Sequence, residues 1–110
     1  MKKHIYAIIV SYNPNIDLLD AEYNSIAPQV ERIFYVDNFS TNRDEVQEWG
    51  KKKDKATILW MDSNEGIGAA QNRGICAALE KGASHIILFD QDSIVAVNFV
   101  EELYHAEQQA

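Results

Sequence analysis

Four short apolar runs punctuate the chain, at residues 5–10, 33–36, 57–61 and 86–89. Each is continuous rather than alternating, the pattern of strands buried on both faces. Polar stretches long enough for one helix separate them, and the interval from run to run is that of a βα unit. The pattern predicts βαβαβαβ: a parallel four-stranded sheet with flanking helices and right-handed crossovers.

The helices can be read in the same way. The first follows Pro14 and Asn15, with Leu18, Leu19, Tyr23 and Ile26 as its inner face, and Pro28 ends or kinks it. A shorter one covers residues 43–49, capped by Thr41 or Asn42, with Val46 and Trp49 inward. The lysine-rich residues 51–55 read as a solvated loop. The third helix starts near Gly66 or Gly68 and ends at Lys81-Gly82, where Gly82 suits a C-cap. Gly74 lies inside it at a cost of about 1 kcal/mol relative to Ala, which predicts close packing on a neighbour. A fourth helix covers residues 97–109 and offers Phe99, Val100, Leu103 and Tyr104 to a partner. No strand follows it, so the domain reads as cut off, and its bare apolar surface predicts a homo-oligomer.

Charge narrows the function classes. A formal net charge of −7 argues against a nucleic-acid binder. Residues 62–110 hold eight acidic side chains against two basic ones, Arg73 and Lys81. An anionic ligand on that half needs the help of a metal ion. Cys76 is the only cysteine, so there is no internal disulfide or thiolate cluster, and it reads as a small buried apolar residue. The opening Met1-Lys2-Lys3 mimics a signal peptide. The apolar run after it stops at Ser11-Tyr12-Asn13-Pro14, short of a signal core and of a membrane span. A buried strand and a cytoplasmic location are expected.

Ligands of such sheets bind beyond the carboxyl ends of the strands. Those ends are Ser11-Tyr12-Asn13-Pro14, Asp37-Asn38, Asp62-Ser63-Asn64 and Asp90-Gln91-Asp92. All are polar and three contain a carboxylate. His4 and His85 fall on the opposite rim and read as structural. Tyr12 can lie flat against a nucleobase or simply pack. Asp37 can accept a hydrogen bond from a base imide or ribose, or cap the turn through Asn38-Phe39-Ser40-Thr41. Gly66 and Gly68 let the backbone approach a ligand, but Gln71 stands where a dinucleotide fingerprint has its third glycine. Arg73 can reach back to a base carbonyl or a phosphate, or form a surface ion pair.

Asp90 and Asp92 have three readings. As hard-oxygen ligands they bind Mg²⁺ or Mn²⁺ that grips a diphosphate. As nucleophile and proton donor they resemble the haloacid-dehalogenase phosphatases, which carry the motif on their first strand and need more residues downstream. As a structural feature, Asp92 or Ser93 caps the following turn.

Taken together the motifs resemble inverting family-2 glycosyltransferases of the GT-A fold, and most of all bacterial rhamnosyltransferases that build surface polysaccharides. The resemblance covers essentially all of residues 1–110. It rests on Val10-Ser11-Tyr12-Asn13-Pro14, on Val36-Asp37-Asn38-x-Ser40, on Asn64, Gly66, Ala70, Asn72 and Gly74 in N-x-G-x-x-x-A-x-N-x-G, and on Asp90-Gln91-Asp92-Ser93. It implies a Rossmann-like GT-A nucleotide-binding half, truncated before the acceptor-binding part. It further implies nucleotide contacts from Val10, Ser11, Tyr12, Asn13, Asp37, Asn64, Gly66, Arg73 and Asp90. Tyr12 would stack on the base, Asp37 would read it, and Arg73 would stabilise base or diphosphate. Asp90 would bind ribose or metal-bound water, and Asp92 would be the direct ligand of Mg²⁺ or Mn²⁺. The implied donor is dTDP-rhamnose or a UDP-sugar, and the acceptor a saccharide or lipid-linked chain. The implied site of action is cytoplasmic, peripheral at the inner face of the membrane in the full-length protein.

Two departures from the family pattern bear on function. Phe39 stands where relatives often have Gly, so the turn after Asp37 is expected to differ. An inverting transfer also needs a base for the acceptor hydroxyl, and that base is expected beyond residue 110. Residues 1–110 would then bind donor without turnover. The alternative is a non-catalytic nucleotide-binding or interaction module of the same fold.

Overall fold

The computed structural model of the protein describes residues 4–109. The elements follow in the order β1 (Ile5–Ser11), α1 (Ile16–Ile26), a 3-10 turn (Ala27–Gln29), β2 (Arg32–Asp37), α2 (Arg43–Gly50), β3 (Ala56–Trp60), α3 (Ile67–Glu80), β4 (His85–Phe89) and α4 (Phe99–Gln109). The strands lie in the order β3-β2-β1-β4 and every pairing is parallel. The chain steps outward from β1 through β2 to β3, then returns to place β4 on the other side of β1. The reversal opens a crevice between the carboxyl ends of β1 and β4, the switch point where sheets of this kind bind ligands.

Alternation along the strands divides the core in two. Ile5, Ala7, Ile9, Ile33 and Tyr35 pack on one face against Leu19, Tyr23, Ile26, Trp49 and Val100. Tyr6, Ile8, Phe34 and Val36 pack on the other against Ala70 and Ala78 of α3. The α3 contact is close because Gly74 permits it: a Cβ there would lie 2.6 Å from Cγ2 of Ile8 and 3.1 Å from Cγ2 of Val36. This is the close packing that the helical glycine predicts. Burial on both faces, expected for all four strands, holds for β1 and β2. The edge strands β3 and β4 are only half-buried, and Leu88 is 46% exposed. The physical reason is that α3 alone covers its face, and one helix does not reach both edges.

Local chemistry explains the helix ends. Asn15 caps α1, its Oδ1 accepting the Leu18 N–H at 3.2 Å, and Pro28 falls in the 3-10 turn that ends it. Asn42 holds the N-cap position of α2 without a capping bond; its Nδ2 donates to the Pro14 carbonyl instead, at 2.8 Å. Gly82, at φ 87°, closes α3. Its N–H reaches the Leu79 carbonyl and the Ala83 N–H reaches that of Ala78, a Schellman ending.

Four expectations are corrected. Leu18 is exposed, and Glu22 takes its place on the buried side of α1 with Leu19, Tyr23 and Ile26. Cys76 is exposed, because α3 turns Ala70, Gly74 and Ala78 to the sheet and a residue two positions from Gly74 points away. Residues 51–55 form the expected loop with Lys51, Lys52 and Asp54 exposed, but two of its lysines are tied down, Lys53 Nζ lying 2.7 Å from Asp20 and Lys55 Nζ donating to the Ala27 and Val30 carbonyls. Finally, α4 begins at Phe99, leaving Val97 93% exposed, and among its expected inner residues only Val100 is buried. His4 and His85 do lie on the far rim, beside Glu31 and Glu107. Among the described residues no helix is long and apolar enough to cross a membrane.

Candidate functional site

The carboxyl ends of the four strands form one rim, and hydrogen bonds stitch its loops together in order. At the β1–β4 switch point Gln91 Oε1 accepts the Tyr12 N–H at 2.7 Å, and Gln91 Nε2 donates to the Tyr12 carbonyl at 3.4 Å. The β1 loop is bound in turn to the β2 loop. The Asn38 N–H donates to the Ser11 carbonyl at 2.8 Å, the Asn13 N–H to Ser40 Oγ at 2.8 Å, and the Thr41 N–H to Asn13 Oδ1 at 2.7 Å. The β2 loop reaches the β3 loop through Asn38 Nδ2, which donates to Asn64 Oδ1 at 3.0 Å. That same Asn64 oxygen accepts the Gly66 N–H at 3.1 Å, at the start of α3.

On this frame the expected site residues divide by exposure. Tyr12 is 47% exposed, and Asn13, Asn64, Gly66, Arg73, Asp90 and Asp92 are exposed with it. Val10 is half-buried on the α3 side of the sheet. Ser11 is fully buried, and strand alternation turns its hydroxyl to the opposite face from Val10; only its backbone belongs to the rim. Asp37 is also fully buried. Its Oδ2 accepts the Ser40 N–H at 2.9 Å and its Oδ1 the Ser40 hydroxyl at 2.7 Å. It thus does the work of a turn cap, and through Ser40 it supports Asn13.

Positive φ angles recur at the loops: Asn13 at 46°, Phe39 at 67° and Asp92 at 67°. Asn adopts this region readily, but Phe does not. The backbone at residue 39 therefore keeps the shape that Gly favours, and the expected alteration lies in the side chain. The Phe39 ring is exposed and has the Arg43 guanidinium 5.8 Å from its centroid, with Trp60 on the other contact at 4.9 Å. Arg73 donates from Nη1 to the Trp60 carbonyl at 2.7 Å. A guanidinium carries five N–H donors, so this bond holds Arg73 over the β3 end without exhausting it.

The Asp90–Asp92 loop turns tightly: the Ser93 N–H and hydroxyl both donate to the Asp90 carbonyl, at 3.3 and 2.8 Å. Ser93 therefore closes the turn, and the carboxylates of Asp90 and Asp92 take no hydrogen bond among the described residues. Two exposed carboxylates suit a hard divalent cation that completes its shell with water and phosphate oxygens. Among the described residues no group of three or more His, Cys, Asp or Glu side chains could hold an ion. The residues here that could take part in holding such a cation are Asp90 and Asp92.

Under this loop lies a residue that sequence reasoning missed. Glu22 is fully buried, and its Oε2 accepts the Ser93 N–H at 3.0 Å. Burial pushes its carboxyl up to about 7; the Ser93 and Asp92 amides pull the other way, and the charges of Asp92 and Asp90 add to the rise. The signal available was a lone acid on the helix face shared by Leu19, Tyr23 and Ile26. Two grooves, of about 630 and 750 Å³, flank α4 at the far rim beside Ile5, Val100 and Tyr104. Neither is lined by Tyr12, Asp37, Arg73, Asp90 or Asp92.

Residues 6–109 match the family described as glycosyl transferase family 2. Over 105 residues the chain is 39% identical to dTDP-rhamnosyl transferase RfbF of Shigella flexneri, a match that takes in 94% of this chain and 34% of that protein. The fold is shared with S. aureus TarS 1-349, at a TM-score of 0.62 and 19% identity, over 98% of this chain and 33% of that one. The chain thus spans about a third of the length of both relatives.

Proposed function

Since this chain belongs to glycosyl transferase family 2, we propose that its loop rim is the donor half of a sugar-transfer site. The donor is a nucleoside diphosphate sugar, dTDP-rhamnose by analogy with the Shigella relative. The acceptor is a saccharide or lipid-linked hydroxyl. In an inverting transfer the acceptor oxygen bonds to the anomeric carbon, the carbon–oxygen bond to the diphosphate breaks, and a base takes the hydroxyl proton. We assign residues 1–110 to the donor-binding part, which spans about a third of the length of the proteins it matches.

One observation carries the reading: Gln91 ties the backbone of Tyr12, whose ring is exposed, to the loop that presents two exposed carboxylates. Tyr12 offers its face to the base above Val10, with Asn13 at its side. Asp37 supports the turn beneath through Ser40; each of its oxygens keeps a further lone pair, so a bond to the base needs access to this buried carboxylate rather than release of Ser40. Asn64 and Gly66 bring backbone close to the nucleotide, and Arg73 supplies positive charge to base or diphosphate. Asp92 and Asp90 would hold Mg²⁺ or Mn²⁺, which offsets the charge that builds on the leaving diphosphate.

Calorimetry tests this directly. Mn²⁺ should strengthen dTDP binding, and Asp92→Ala should remove at least about tenfold of that gain, roughly 1.4 kcal/mol. Absence of binding with metal present, or equal binding by the variant, would sink the proposal.

A further inference from the structure

The side of α1 that faces the Asp90–Asp92 loop carries a ladder of polar side chains. Glu22 Oε2 accepts the Ser93 N–H at 3.0 Å, and Ser25 Oγ accepts the Val95 N–H at 3.2 Å. Gln29 donates from Nε2 to the Ala96 carbonyl at 2.8 Å and accepts the Val100 N–H at Oε1 at 2.9 Å. Glu22 and Ser25 stand three apart on one side of α1, and Gln29 continues the line from the 3-10 turn that follows. They meet the backbone from Ser93 to the first turn of α4, a stretch mostly outside regular structure, where the Ser93 N–H also donates to the Asp90 carbonyl.

Glu22 is the costly rung. It is an acid, fully buried, beneath two other carboxylates, and its Oε1 has no partner. Apolar neighbours on the same helix face show that a leucine would be the cheaper occupant. The backbone above it gives the reason. Asp92, at φ 67°, sits in a positive-φ conformation that is uncommon for non-glycine residues, though Asp enters it more readily than most. Such a conformation persists only where its surroundings hold it. An acceptor reaching the adjacent N–H from below holds it without engaging the Asp90 or Asp92 side chains.

We propose that Glu22 is the positioning residue of the donor loop: from inside the core it fixes the backbone from which Asp92 presents its carboxylate to the metal–diphosphate group. The assignment rests on the donor-binding reading above and deepens it. Glu22 touches neither nucleotide nor metal, and acts only through the Asp92 and Ser93 amides and the turn that follows.

Two variants and two readouts test it. Glu22→Leu removes the acceptor, and Glu22→Gln keeps an oxygen that can take the Ser93 N–H. In Glu22→Leu, amide hydrogen exchange at Asp92 and Ser93 should accelerate at least about tenfold. The Mn²⁺-dependent part of dTDP affinity should fall at least about tenfold, with metal-free affinity held within about twofold. Glu22→Gln should bring both readouts back to within about threefold of the original. Exchange unchanged in Glu22→Leu overturns the proposal, as does an equal loss of metal-free and metal-dependent binding. If Glu22→Leu does not fold, Ser25→Ala decides: the next rung lost should speed exchange at Ser93 and Val95, and no change overturns the ladder. An unaltered chain without Mn²⁺-dependent binding overturns the donor reading instead, and amide exchange then judges the hold of Glu22 on its own.

Discussion

Gln91 holds the backbone of Tyr12 at both its N–H and its carbonyl. A side-chain amide here does what a peptide group does in a sheet, continuing the pairing of β1 with β4 past Ile9 and Phe89. The residue between the two aspartates is therefore no spacer. Gln91→Ala should leave the fold and both carboxylates in place while freeing the Tyr12 loop. dTDP affinity should drop about three- to tenfold, with and without Mn²⁺, the scale of one or two lost hydrogen bonds. Titration calorimetry under both conditions checks this, and a loss confined to the metal-bound state would assign Gln91 a different role.

Gly74→Ala sets helix propensity against packing. Alanine gains about 1 kcal/mol in an isolated helix, but the new methyl would meet the short, β-branched Ile8 side chain at 2.6 Å. Overpacking of this kind costs roughly 1–3 kcal/mol, so the variant should melt several degrees below the original. A melting temperature at or above it would show that α3 can ride up without loss.

Phe39 offers a test of backbone strain separated from side-chain loss. Phe39→Ala and Phe39→Gly both remove the ring and its contact with Arg43. Only glycine accepts φ 67° freely. The glycine variant should therefore be more stable than the alanine variant by about 1 kcal/mol in urea unfolding. Equal stabilities would mean that the turn relaxes once the ring is gone.

Glu22 makes stability depend on pH in a calculable direction. Its carboxyl sits at about 7 in the folded protein against an ordinary 4.5. The folded state therefore binds the proton more tightly, and stability contributed by the neutral form is fully present below about pH 4.5 and lost as pH rises through about 7. The whole difference is about 3 kcal/mol. Glu22→Gln cannot titrate, so its stability relative to the original protein should improve steadily across that window and level off above it. Denaturation at a series of pH values reads this difference, and a flat profile would mean that the carboxyl is not desolvated.

The residues that were legible in sequence and those that were not differ in range. Continuous apolar runs located all four strands, because burial in a parallel sheet leaves a local trace. Gly82 and Pro28 announced helix ends, since their backbone limits act on the spot, and Gly74 announced a close neighbour without naming Ile8. Tyr12, Asp90 and Asp92 were placed on the rim by their position at strand ends. What sequence could not show was partnership across long separations. Glu22 looks like any helical acid until Ser93, 71 residues later, lies over it. Asp37 looks equally suited to a ligand and to a cap, and its bonds to Ser40, which make the cap, are visible only in the fold. The edge positions of β3 and β4 depend on strand order, which no single run encodes.

The crevice at β1 also sets an order of events. Tyr12 and Gln91 are 79 residues apart, and β1 cannot gain its second neighbour until β4 exists. A chain made from its amino terminus at about 5–20 residues per second would hold β3-β2-β1 for on the order of seconds before β4 emerges. Through that interval Ile5 to Ile9 form a bare sheet edge, the kind of surface that recruits other nascent chains. Closing the rim and covering the most adhesive strand are one event during synthesis, so variants that delay β4 docking should reduce soluble yield before they reduce affinity.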